Sequence, residues 1–165
     1  MLNKELLCVS KNGLNVYYDP VGSHAATHFH DTLNLKLLVV GLIEVTTLSK
    51  DMEYIQHDFG HTIGKTDLLE TTDQDTVVYA KRMNRDNYSR FIMNRGPVDS
   101  SILTIILYKH DSFYMLKSAY IGIKVPSFPT APTASNESVP FWMKHALAWG
   151  TQAIQPGTET DKWPW

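Results

Sequence analysis

Three runs rich in β-branched, aromatic and aliphatic residues, Thr76–Lys81, Ile102–Lys109 and Phe113–Ile123, constrain the fold of this 165-residue chain more than any other feature. Runs of that length and composition read as strands. Only the polar stretch Tyr108-Lys109-His110-Asp111-Ser112 joins the last two, which predicts that they pair as adjacent antiparallel strands. Between the first two lies the most basic stretch, in which Lys81, Arg82, Arg85, Arg90 and Arg95 face Asp86 alone. The whole chain has a formal net charge of -2, so this excess is local. It marks a face for an anion, most simply phosphate or RNA backbone.

The flanking segments fill in the architecture. Leu6–Ser10 and Leu14–Tyr18 surround Asn12-Gly13, the strongest short-range hairpin signal. Residues 21–30 read as a polar loop or a short turn of helix. A helix over about 31–48 follows from Leu35, Leu38, Val39, Leu42, Ile43 and Val45 at helical spacing, with Asp31 or Thr32 as cap. Its β-branched second half leaves a buried strand as the alternative. Residues 50–75 read as loop and short turns. Pro126, Pro129 and Pro132 make a stiff excursion. A short helix over about 138–149 then places Phe141, His145 and Trp149 on one face. Trp163 and Trp165 predict that the tail packs back onto the body. The expectation is a single domain over 1–165 of α+β class, its predominantly antiparallel sheet covered on one face by the 31–48 helix.

Composition excludes several classes. With 43% hydrophobic and 19% charged residues, the chain has enough apolar material for one core and none of the bias of a disordered segment. Its longest aliphatic stretch, Leu37–Ile43, is far short of the ~20 residues of a membrane span, and no signal-like segment follows Lys4, so a cytoplasmic protein without a membrane partner is expected. The one cysteine, Cys8, rules out an internal disulfide and a cysteine-rich zinc site.

Gly60-His61-Thr62-Ile63-Gly64-Lys65-Thr66 has one residue too few between its glycines for a P-loop. His24/His28 and His57/His61 share the i, i+4 spacing that would put two imidazoles on one helix face, so a histidine-ligated metalloprotein is a third reading. Gly60 interrupts the second pair, and neither pair has the glutamate of a His-Glu-x-x-His motif; no metal or other cofactor is called for. Asn136-Glu137-Ser138 fits a glycosylation acceptor, a pattern without meaning in a cytoplasmic chain.

His61 near Gly64-Lys65-Thr66, the basic strand end, Ser89-Arg90-Phe91, Thr104 and Ser118-Ala119-Tyr120 together resemble the bacterial RNase A-like toxin domains of the barnase/EndoU/colicin/RelE-like group, over residues 57–122. Tyr79-Ala80-Lys81-Arg82, Ser89-Arg90-Phe91, Pro126-Ser127-Phe128-Pro129 and His145–Thr151 also look like a family of uncharacterised bacterial proteins. The first resemblance implies a curved antiparallel sheet and metal-independent endoribonuclease chemistry, in which the 2′-hydroxyl attacks phosphorus and leaves a 2′,3′-cyclic phosphate. In that reading His61 and His145 share the acid and base roles, and Arg90 and Tyr120 complete the catalytic set. Lys65, Thr66, Arg82, Arg85, Ser89 and Thr104 bind the substrate, with Arg90 an exposed cation in a surface loop. His145 equally fits a ring packed between Phe141 and Trp149. The alternative is a non-catalytic binding or protein-interaction domain that uses RNA, or a protein partner met by Phe141, Trp142, Trp149, Trp163 and Trp165.

Overall fold

The computed structural model describes residues 3–31 and 34–165. In chain order its elements are β1 (Glu5–Val9), β2 (Asn15–Tyr18), α1 (His24–Asp31), α2 (Leu35–Glu44), β3 (Met52–Asp58), β4 (Gly64–Thr66), β5 (Leu68–Glu70), β6 (Val77–Lys81), β7 (Tyr88–Ile92), β8 (Val98–Ser100), β9 (Ile102–His110), β10 (Phe113–Ile121), α3 (Ser138–Lys144) and β11 (His145–Leu147). The fold is α+β with predominantly antiparallel pairing. The chain divides into two compact units, one holding the residues up to Gly64 with Ser101–Lys124, the other Lys65–Ser100 with Val125–Trp165.

In the first unit the strands run in the order β1-β2-β10-β9-β3. The Asn12-Gly13 hairpin forms as expected, with Gly13 at φ 80. Strands β9 and β10 pair antiparallel across a two-residue turn whose Asp111 takes φ 55. Strand β2 joins β10 in parallel. Leu35, Val39 and Ile43, four residues apart, form the buried stripe of α2 and enter one core with Val16, Leu103, Ile105, Leu107 and Leu116.

The helix expected over 31–48 is shorter at both ends. Asn34, at φ 74, is left-handed and separates α1 from α2, so Asp31 ends α1 instead of capping α2. The other expected cap, Thr32, lies outside the described residues. At the far end the β-branched run Val45-Thr46-Thr47 leaves the helix, and Asn12 takes the backbone of Leu48 at two points, Nδ2 donating to its carbonyl at 2.8 Å and Oδ1 accepting its N–H at 3.0 Å. The hairpin loop has claimed the polar groups that a longer helix would use.

The 50–75 segment, expected as loop, contains three strands. One of them, β3, is the edge partner of β9 over seven residue pairs, from Met52↔Tyr108 to Asp58↔Ile102.

In the second unit the order is β5-β11-β7-β6, so Val77–Lys81 belongs to a different sheet from β9 and β10. Its core joins Ala80, Phe91, Trp142, Leu147 and Ile154, with Phe128, Phe141 and Trp149 packed against them. The 138–149 helix also stops early, at Lys144. His145–Leu147 is extended, antiparallel to β5 and parallel to β7 at Leu147↔Phe91, and sheet hydrogen bonds replace helical ones. The tail does pack back: Tyr79 and Thr160 exchange backbone hydrogen bonds at 2.9 and 2.8 Å, and Trp165 meets the Tyr79 ring edge-on at 5.2 Å.

Candidate functional site

The basic stretch contributes cations of two kinds. Arg95 donates from Nε and Nη2 to the two oxygens of Asp75, at 2.7 and 3.0 Å, and from Nη2 to the Glu70 carbonyl at 2.7 Å. That fork, with the Thr72 N–H, holds the Asp75 carboxyl down at about 2. Arg90 is on β7 rather than in a surface loop. It is half-buried opposite Tyr79, and its Nη1 donates to Thr71 Oγ1 at 3.0 Å and to the His145 carbonyl at 3.2 Å. The Arg95 fork is taken up by Asp75 and Glu70, whereas Arg90 is held through Nη1 alone and its buried Nε has no partner among the described residues.

Like Arg90, Arg82 and Arg85 form no ion pair among the described residues, and unlike Arg90 neither has a side-chain hydrogen bond there. They stand at the ends of a tight turn closed by the Arg85 N–H donating to the Arg82 carbonyl at 3.1 Å, with Asn84 at φ 60. Asparagine tolerates that left-handed position better than most residues. The turn is fastened from the C-terminal segment. Met83 N–H donates to the Ala153 carbonyl at 2.9 Å, Gln155 N–H donates to the Lys81 carbonyl at 2.8 Å, and Lys81 N–H donates to Thr158 Oγ1 at 3.1 Å.

Beside this turn is an open cleft of about 430 Å³ lined by Arg82, Arg85, Asp86, Asn87 and the loop Thr130-Ala131-Pro132. The Arg82 guanidinium carbon is 4.7 Å from the Phe128 ring centroid and 5.7 Å from that of Trp149. Such packing orients a guanidinium without neutralising it. Burial, then repulsion from Arg85, pushes the Arg82 group below its ordinary value, and its buried Nε, like that of Arg90, has no hydrogen-bond partner among the described residues. An arginine of this kind stays charged.

The remaining expected site residues are dispersed. In the first unit His61 is exposed, its Nδ1 3.1 Å from the Phe59 carbonyl. Thr104 is buried and donates to the Gly122 carbonyl at 2.7 Å, and Tyr120 lies opposite it in the β9–β10 register. In the second unit Lys65 pairs with Asp99 at 3.0 Å on the surface, and buried Thr66 accepts the Leu68 N–H at 3.3 Å. Ser89 is fully buried on β7, its hydroxyl without a hydrogen-bond partner among the described residues. His145 stacks on Phe141 at 4.0 Å, its Nδ1 2.9 Å from the Phe141 carbonyl, and it does not line the cleft. Trp149 tilts against Phe91 at 6.2 Å instead of extending that helix face.

Gly64-Lys65-Thr66 is a strand, so its N–H groups do not form the cradle of a P-loop. His57 is on β3, and no helical face unites it with His61. His24 and His28 do share α1. Of the five C-terminal aromatics, Trp163 is the exposed one, at 47%, and Trp142 is 1% exposed. Phe141, Trp149 and Trp165 are partly buried.

Asp86, Asn87, Phe128 and Thr130–Pro132 are site residues that sequence reasoning did not assign. A signal existed for Phe128 alone: of the four segments Tyr79–Arg82, Ser89–Phe91, Pro126–Pro129 and His145–Thr151 that share a likeness, the first, third and fourth meet at Arg82 through Phe128 and Trp149. No family model, curated protein or solved structure matches the chain.

Proposed function

We propose that the protein binds RNA without cleaving it, and that the Arg82–Arg85 cleft receives the phosphate. The observation that carries this reading is the pair of arginines on one turn, free of carboxylate partners and set in a cleft, with Arg82 packed on Phe128 and Trp149. Asn87 in the same lining has an amide able both to donate to and to accept from a base edge, and Tyr88 follows it at the start of β7. Binding is preferred to cleavage because the histidine of this unit, His145, packs on Phe141 away from the cleft lining.

The test is a titration of labelled single-stranded RNA at several salt concentrations, followed by product analysis. Wild-type protein is expected to bind with a salt-dependent affinity, and Arg85→Gln to weaken binding and lower the salt slope by about 1, the share of one phosphate contact. No binding at low salt, or a slope unchanged by the substitution, would reject the reading. RNA fragments with 2′,3′-cyclic ends would put the ribonuclease in its place.

A further inference from the structure

We propose that the cleft takes a terminal phosphomonoester of the RNA in preference to an internal phosphodiester. This rests on the reading of the cleft as an RNA site and adds which phosphate it selects.

The charge count gives the first argument. The ionisable groups lining the cleft are Arg82, Arg85 and Asp86, and its other lining residues, Asn87, Thr130, Ala131 and Pro132, are neutral. Two cations and one anion leave a net charge of +1. In such a site the attraction scales with the ligand's charge, so a phosphomonoester near -2 gains about twice what a diester at -1 gains.

Size and placement give the second. At about 430 Å³ the cleft is near the lower end of ligand sites, which run from about 300 to 1,000 Å³, and is suited to one nucleotide unit. Arg82 is half-buried while Arg85 and Asp86 are exposed. A chain end can present its phosphate to the recessed guanidinium. An internal phosphodiester brings only one charge to the same guanidinium, and its flanking phosphates meet the exposed Asp86 carboxylate.

Both ends of an RNA can bear this group, and the experiment separates them. One internally labelled short RNA is prepared with a 5′-phosphate, with a 3′-phosphate and with hydroxyls at both ends, and each form is titrated with wild-type protein and with Arg85→Gln. One phosphorylated form is expected to bind wild type roughly tenfold tighter than the hydroxyl form, the scale of one added charge-assisted hydrogen bond. That advantage should shrink as the pH falls from about 7.5 to about 5, because the second ionisation of a phosphomonoester lies near 6. Arg85→Gln should abolish most of it. Equal binding of all three forms by wild type overturns the end preference and leaves RNA binding standing. An advantage that Arg85→Gln retains in full overturns the assignment to this cleft. Binding of none of the three overturns the RNA reading itself, and the end preference with it.

Discussion

The side-chain amide of Gln155 donates to the backbone carbonyl of Arg85 at 2.8 Å, across 70 residues of sequence. The same nitrogen donates to the Arg82 carbonyl at 3.0 Å. A single side chain on the C-terminal segment thus fixes both ends of the turn that presents the cleft arginines. Preorganisation of this kind lowers the ordering cost of binding.

Gln155→Met keeps the length of the side chain and removes both hydrogen bonds. Each is worth about 1 kcal/mol, so unfolding in urea should show a loss of about 1–2 kcal/mol. RNA affinity should fall roughly three- to tenfold, a change of about 0.7–1.4 kcal/mol. The salt slope should stay put, because both cations remain. A variant that is less stable yet binds RNA as wild type does would show that Gln155 holds the fold and not the site.

Glu53 shows how a strand escaped detection. It is 9% exposed on β3, and its Oε1 accepts the N–H groups of Ser49 and Lys50, both at 2.8 Å. Glu53→Ala leaves two donors without their acceptor and should cost about 2–3 kcal/mol, whereas Glu53→Gln keeps an oxygen and should cost about 1 kcal/mol. Chemical denaturation of the two variants checks the ordering; equal losses would contradict the hydrogen-bond account.

An inward-facing glutamate breaks the alternation that marks a half-buried strand, so Met52–Asp58 reads as irregular until its partner β9 is known. Local signals were legible for the opposite reason. Asn12-Gly13 and the short link at Asp111 specify hairpins from within a few residues, and both hairpins formed. The ends of α2 and α3 were set by distant groups, Asn12 on Leu48 and the strands flanking His145–Leu147. The site follows the same rule. Arg82 and Arg85 stood out as part of a basic stretch, but what separates them from Arg90 and Arg95 is the acceptors that meet the latter pair: Thr71, Asp75 and two carbonyls. No spacing in the sequence encodes that division.

The Asp75–Arg95 pair gives stability a definite pH window. The Asp75 carboxyl lies at about 2 in the folded protein, chiefly because Arg95 hydrogen-bonds it, against about 3.9 for an unperturbed aspartate. A depressed folded value means that the unfolded chain binds more protons between those limits. The contribution is therefore complete above about pH 4 and is lost as pH falls toward about 2. Arg95→Gln should lower the urea midpoint at neutral pH, with a gap from wild type that narrows steadily below about pH 4. A gap of constant size across that range would assign the effect to packing of the arginine instead.

Trp142 connects the core of the second unit to the cleft. It is 1% exposed, its Nε1 donates to the Pro126 carbonyl at 3.2 Å, and it stacks on Phe128 at 4.4 Å with the planes 25° apart. Phe128 in turn carries the Arg82 guanidinium. Trp142→Ala should cost about 3–5 kcal/mol, the range for removing a large buried aromatic. It should also weaken RNA binding measured well below the melting temperature, because Phe128 loses the ring that positions it. Trp142→Phe retains a stacking face and loses the indole donor. It should recover most of the affinity while still costing about 1 kcal/mol for the missing hydrogen bond to Pro126. The decisive comparison is affinity among folded variants: Trp142→Ala binding RNA as tightly as wild type would break the connection from Trp142 through Phe128 to Arg82, and Trp142→Phe binding no better than Trp142→Ala would show that ring stacking is not what transmits it.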